Sequence, residues 1–186
     1  LRLYEMFVGP PELDSEWDER GIDGVYRFIT RFWKLAVDSI EANVEPTKEM
    51  IKLRHQMVHT ITRRLEDFSL NTVVSGFMEF NNKFIELAKK EGGIDKETIQ
   101  TFVTLLAPFA PHIGEELWER LGNTGSVFEN NKWPEADEEL MKDDEIQVPV
   151  QIHGKTKVVI SVPSDISTDD AIAQGKEALG DKLKGN

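Results

Sequence analysis

Residues 47–67 read TKEMIKLRHQMVHTITRRLED. Met50, Leu53, Met57, Val58, Ile61 and Leu65 recur at helical spacing, and Phe68 extends the row. The stretch therefore predicts a helix buried along one face. At about 100° per residue, Lys52, Gln56, His59 and Arg63 stack in a narrow band on the far side, with His55 at its edge. Between Ile51 and Leu65 the bases Lys52, Arg54, Arg63 and Arg64 meet no acid. One helix thus combines a core face with a local excess of positive charge.

Upstream, a helix is expected over about 24–43. Val25, Phe28, Ile29, Phe32, Ala36 and Ile40 form its apolar stripe, and Arg27, Arg31, Lys34, Asp38 and Glu41 lie opposite. Pro46 follows its end. Residues 1–23 show little periodicity. Gly9-Pro10-Pro11 breaks a helix begun at Leu3, so this part reads as a connector. Leu1 is not an initiator Met, and the chain is expected to begin inside a longer protein or after processing.

Downstream, Ser69 offers a cap for a helix to about Lys90, ended by Gly92-Gly93 and carrying Val73, Val74, Phe77, Phe80, Phe84 and Leu87. Asp95 offers a cap for a helix to about Ala107, and Pro111 opens another ending near Leu121-Gly122. Phe68, Phe77, Phe80, Phe84, Phe102 and Phe109 read as core, as do Trp33 and Trp118, while Trp133 packs a loop onto the bundle. Amphipathic helices joined by short connections indicate an antiparallel bundle over 24–122.

After a linker, 123–144, the period changes from 3.6 to 2. Ile146, Val148, Val150 and Ile152 alternate, as do Val158, Ile160 and Val162, with His153-Gly154 between them: a β-hairpin. A two-residue loop at 153–154 would split the apolar sets between opposite faces. A three-residue loop ending at Gly154 keeps them together, with Val150 opposite Thr156 and Val148 opposite Val158. Gly154 is then left-handed with a bulge beside it. Ser167 caps a last short helix. A hairpin with one helix is marginal in water, so residues 145–186 read as a small, truncated α+β module. The fold class is mainly α.

The net charge of −12 argues against a uniformly RNA-binding surface and demands a local reading. From Glu135 onward 12 acids face 6 bases, so the tail supplies much of the acidity. The apolar runs are too short and too interrupted to span a membrane. The chain has no cysteine, which excludes a disulfide scaffold and a thiolate zinc site. No phosphate-cradling glycine motif occurs. His112 with Glu115 and Glu116 lacks the second His of a metal helix, so a capping or surface His is expected. His55 and His59 share a helix at i and i+4, but Lys52 and Arg63 beside them favour a solvated or phosphate-facing stripe over a metal or catalytic site.

Leu105-Leu106-Ala107-Pro108-Phe109-Ala110-Pro111-His112-Ile113-Gly114-Glu115-Glu116-Leu117-Trp118 resembles a signature of the class I aminoacyl-tRNA synthetases for leucine, isoleucine, valine and methionine, in their helical anticodon-binding domain. Further segments resemble the bacterial leucyl-tRNA synthetase family. These are Arg2-Leu3-Tyr4-Glu5-Met6-Phe7 with Gly9-Pro10 and Trp17; Arg27-Phe28, Arg31 and Trp33-Lys34-Leu35; His59-Thr60-Ile61; Leu70-Asn71-Thr72; Trp133-Pro134; and Val150-Gln151-Ile152-His153-Gly154-Lys155 with Val162-Pro163. His153 stands where that family usually has Asn, and Lys157 where Arg is usual.

The resemblance implies a piece of a leucine–tRNA ligase that holds tRNA(Leu) for leucylation by a catalytic domain elsewhere in the same chain. The piece itself has no catalytic residue, no metal and no cofactor; ATP and Mg belong to the full-length enzyme. A cytoplasmic monomer is expected. The candidate tRNA-binding residues are Arg27, Arg31, Lys34, Lys52, His55, His59, Arg63, Lys155 and Lys157. The alternatives are the same domain of an isoleucyl-, valyl- or methionyl-tRNA synthetase, or a helical module that binds no nucleic acid.

Overall fold

The structure is a computed structural model that describes residues 1–14, 17–129, 131–142, 145–152, 155–163 and 166–180. Among these, the chain forms two compact units, 1–141 and 142–186.

The first unit is all helical: α1 (Arg2–Phe7), α2 (Glu19–Ala42), α3 (Lys48–Glu66), α4 (Leu70–Glu91), α5 (Lys96–Leu106) and α6 (Pro111–Arg120). Short polar side chains cap three of these six helices, while Ser69 at the start of α4 makes no such bond. Asp18, Thr47 and Asp95 accept hydrogen bonds from the amides of Arg20, Met50 and Thr98, satisfying donors that have no partner inside the helix. Gly92 ends α4 in the left-handed conformation, with φ of 82°.

The buried residues are those at helical spacing. Phe32, Met50, Met57, Ile61, Val73, Val74, Phe77, Phe84 and Phe102 are fully or almost fully enclosed. Phe102 is the hub of the aromatic contacts, with ring centroids 4.3 Å from Phe32, 5.7 Å from Phe77 and 6.1 Å from Phe84. One residue of α2 and two of α4 thus converge on α5, burying large apolar area with favourable ring geometry.

Successive helices reverse direction, as short connections require, but chain neighbours are not always spatial neighbours. Both α2 and α3 pack on α4 and α5. One groove beside α4 is bordered by Lys34 and Asp38 of α2 with Ile85 and Lys89 of α4. A second is bordered by Glu49 and Gln56 of α3 with Lys90 and Asn82 of α4. Rising numbers on α2 follow rising numbers on α4, so these two run parallel; α3 runs against α4.

Within the helical unit, the N-terminus, Phe68 and Trp33 differ from the sequence expectation. Asp18 starts α2 at Glu19, five residues before Gly24, and the aperiodic N-terminus contains α1, whose Leu3 and Tyr4 are 5% and 2% exposed. The Tyr4 hydroxyl donates to the Asp18 carbonyl at 2.7 Å, tying α1 to the start of α2. Phe68 is 63% exposed instead of core. The helix stops before it, and Phe68 takes φ of 53° in a turn where the Ser69 amide donates to the Arg64 carbonyl at 2.9 Å. This closure normally recruits glycine. Trp33 is half-buried rather than enclosed and carries the Arg120 guanidinium over its ring, 5.1 Å from the centroid.

In the second unit, β1 (Glu145–Ile152) pairs antiparallel with β2 (Lys155–Pro163), followed by α7 (Thr168–Leu179). The mainly α fold with a two-stranded hairpin is as expected, but the register is not. Val150 pairs with Val158 and Val148 with Ile160. Ile152 pairs with Lys155, leaving two residues between the strands, and parity is restored by a bulge at Lys157. A bulge shifts alternation by one residue, as loop length does; here it lies inside β2 and places β-branched residues opposite one another. The expectation for Gly154 lies outside the described residues. α7 is capped by Ser167, which accepts from the Asp170 amide at 3.2 Å. It reaches the strands through Gly175, where a Cβ would stand 3.2 Å from Val150 Cγ2. That close approach covers the hairpin face that two strands alone leave in water.

Candidate nucleic-acid interface

Because α4 lies between α2 and α3, the two basic faces read from the sequence flank one helix. On the α2 side, a groove of 470 Å³ is bordered by Arg31, Lys34, Ile85 and Lys89. On the α3 side, a groove of 460 Å³ is bordered by Lys52, Gln56, Lys83 and Lys90. Asn82 borders this second groove and also a smaller cavity beside Arg27 and Arg31, so the basic positions form a band across α4. Arg27, Arg31, Lys34, Lys83, Lys89 and Lys90 are exposed.

Asp38, Glu49 and Glu86 are the acids that border this band, and two of them are paired with its bases. Glu86 accepts from Lys89 at 2.7 Å, and this bond holds its carboxyl below the usual range, with Lys89, Arg31 and Lys90 adding to the effect. Asp38 accepts from Lys34 at 2.8 Å, which raises the Lys34 ammonium. Both pairs are exposed and screened by water, so they limit the local field without cancelling it.

The predicted site residues divide into groups. Arg27, Arg31, Lys34 and Lys52 border the grooves around α4. His59 and Arg63 are exposed further along α3; Arg63 lies about 16 Å from Lys52 at the helical rise. His55 is occupied: its Nδ1 accepts the Asp137 amide at 3.0 Å, and burial, then Arg54, lowers its pKa. Next to it, Gln56 donates to the Met141 carbonyl at 3.3 Å, and the Trp133 indole donates to Thr62 at 2.8 Å. The segment 131–141 therefore crosses α3 at His55 and Gln56, and Trp133 anchors it, as its sequence position predicted. Lys157 is exposed on β2, in the second unit. The Lys155 side chain lies outside the described residues. His112 is exposed in the first turn of α6.

Two of the bases counted in residues 51–65 serve the fold. Arg54 is 8% exposed and lies 2.8 Å from Glu97 and 3.8 Å from buried Asp95. Arg64 donates to the Thr72 carbonyl at 2.7 Å and faces Glu79 at 3.6 Å. Sequence reading in turn missed Lys83, Lys89 and Lys90. They lie on the outer face of a helix scanned for its core stripe, and they join the site only because α4 sits between α2 and α3.

An exposed basic band on an acidic helical bundle is the electrostatic footprint of a polyanion-binding domain. Residues 47–172 match the anticodon-binding domain of tRNA ligase. This chain belongs to that family. The chain is 39% identical over 175 residues to a leucine–tRNA ligase of Parabacteroides distasonis, covering 92% of this chain and 18% of that protein. It is 40% identical to that of Phocaeicola vulgatus, covering 89% and 17%, and 39% identical to that of Fervidobacterium nodosum, covering 100% and 24%. The chain thus spans under a quarter of the length of these relatives. Its fold is similar to Agrobacterium radiobacter K84 agnB2 LeuRS, solved in a ternary complex with tRNA and LeuAMS. The TM-score is 0.77 and the identity 24%, with 97% of this chain and 26% of that one covered. At that identity the likeness is one of fold.

Proposed function

We propose that this chain is the tRNA-holding part of a leucine–tRNA ligase, placing tRNA(Leu) for ATP-dependent leucylation by a catalytic domain of the same enzyme. The observation that carries the reading is the basic band of α2, α4 and α3 on a chain of net charge −12. Arg27, Arg31, Lys34, Lys52, Lys83, Lys89 and Lys90 outnumber Asp38, Glu49 and Glu86 there, so a phosphate backbone meets a local excess of positive charge. The contacts available are point charges and guanidinium forks on exposed helix faces, which suit phosphate and sugar and carry little sequence information. Selectivity then comes from the shape of the folded RNA. The work is cytoplasmic and done by a monomer, with ATP and Mg handled in the catalytic domain. Residues 24–122 form the anticodon-binding body, entered through 1–23, and 123–144 link it to the separate module at 145–186. Relatives named as leucine–tRNA ligases favour this over the isoleucine, valine and methionine enzymes.

Titration of the chain with a tRNA(Leu) transcript, against mixed RNA, at several salt concentrations tests it. Binding that favours tRNA(Leu) and weakens steeply with salt is expected. Equal, salt-independent binding of both RNAs contradicts it.

A further inference from the structure

Phosphate contacts account for the cations around α4 but leave one apolar surface without a role. It is the floor of the 470 Å³ groove between α2 and α4, made by half-buried Ile85 and Ala88 of α4 with the rim of Leu35 of α2. Exposed Arg31, Lys34 and Lys89 stand over it, and their methylene stems extend the apolar wall. These cations are unevenly engaged. Lys34 lies 2.8 Å from Asp38 and Lys89 lies 2.7 Å from Glu86. Among the described residues Arg31 makes no hydrogen bond and no ion pair, and its charge only adds to the field on Glu86. The far end of the groove is closed. There Ser39, 2% exposed, accepts the Ile94 amide at 3.0 Å.

We propose that this groove binds a small aliphatic carboxylate, with its head on Arg31 and its tail along Ile85 and Ala88. Charge complementarity selects both the class and the orientation. A free guanidinium offers a carboxylate two parallel hydrogen bonds. Asp38, one turn beyond Lys34 on α2, repels the same group from the closed end. The floor offers a tail methyl and methylene groups in place of water. From Arg31 to Ser39 α2 rises about 12 Å. An extended alkyl chain with bonds of about 1.5 Å advances roughly 1.3 Å per bond, so about ten carbons span the groove. A second copy of the chain fits worse, because a two-fold contact here sets Arg31, Lys34 and Lys89 against their own counterparts. The site does not depend on the RNA-binding reading, but it shares Arg31 and Lys34 with the basic band, so the acid and RNA compete.

Titration of the full chain with straight-chain carboxylates from butanoate to tetradecanoate, each below its micelle concentration, tests the site through the Ile85 and Ala88 methyl signals in NMR. Affinity should rise about two- to fourfold per methylene and level off near about ten carbons, the length set by the groove. Decanol, which lacks the charge, should bind about tenfold more weakly than decanoate. Arg31→Gln should abolish that preference, and Ala88→Phe, which fills the floor, should abolish the shifts. Arg31 is exposed, so its variant keeps the test sound should Ala88→Phe unfold. Affinity that keeps climbing to tetradecanoate, equal binding of decanol, or shifts unchanged in both variants overturns the site. A dimer that moves the same signals without ligand gives the groove to a second copy and overturns it as well. Decanoate should also weaken binding of a tRNA(Leu) transcript, and an unchanged affinity overturns the competition. Decanoate binding as described, in a chain with no salt-dependent tRNA binding, overturns the RNA-binding reading and leaves the site standing.

Discussion

The Arg54 guanidinium, 8% exposed, lies 2.8 Å from the Glu97 carboxylate on α5. Asp95, 2% exposed, stands 3.8 Å from the same nitrogen and also caps α5 through the Thr98 amide. One buried base on α3 thus neutralises the residue that starts α5. Arg54→Ala leaves the Asp95 charge enclosed without its partner and should destabilise the chain by about 3–5 kcal/mol. Glu97 is itself largely exposed, so Glu97→Gln should remove less than about 1 kcal/mol. Urea unfolding of the two variants checks the contrast, and equal losses would show that Asp95 does not depend on Arg54.

His55 links stability to pH. Its Nδ1 accepts the Asp137 amide, and burial, then Arg54, lowers its pKa, against opposing contributions from Asp137 and Glu97. The folded chain therefore resists protonation that the unfolded chain accepts near the ordinary value of about 6.5. Between the lowered pKa and that value the unfolded state binds more protons, so stability falls as pH falls below about 6.5 and is fully present above it. Protonation also removes the lone pair that holds segment 131–141 on α3. Proton-titration NMR should give His55 a pKa below the ordinary histidine value. His55→Gln should flatten the stability profile in that window, and an unchanged slope would mean that His55 is not the group responsible.

Gly114 and Ala107 show what the Leu105–Trp118 stretch does physically. A Cβ at Gly114 would stand 2.8 Å from the Ala107 Cβ and 3.0 Å from its Cα. The two prolines turn α5 into α6 so tightly that α6 lies against the end of α5, with only hydrogen on that side. Gly114→Ala should cost about 1–3 kcal/mol by overpacking, despite the better helix propensity of alanine. Thermal unfolding reads the loss, and a rise in melting temperature would show that α5 and α6 can separate freely.

Much of this was legible in the sequence because it is periodic or local. The stripes Val25–Phe28–Phe32 and Met50–Met57–Ile61, the Asp95 and Ser167 caps and the Gly92 stop depend on neighbours within a turn or two. Arg54 shows where counting charge fails. On the helical wheel it falls opposite Lys52, among Met50, Met57 and Ile61, so its inward direction was available from spacing, while its partners on α5 were not. The hairpin shows the same limit: alternation required the apolar sets to share a face, yet a longer loop and a bulge at Lys157 satisfy that equally. The site needed the placement of α4. Sequence supplied the bases of α2 and α3 separately, and only the tertiary order makes them flanks of one band with Lys83, Lys89 and Lys90.

Docking of RNA on that band is tested most directly by moving the same charge change on and off it. Arg31→Glu and Lys83→Glu lie on the band; exposed Lys96→Glu, at the start of α5, lies off it. The measurement is the slope of log affinity for a tRNA(Leu) transcript against log salt. Each band variant should weaken binding and flatten the slope by about one or more, Lys52→Ala with Arg63→Ala by about one to two, while Lys96→Glu stays near wild type. Equal effects from all three charge reversals, or none from any, would contradict a docking surface centred on α4.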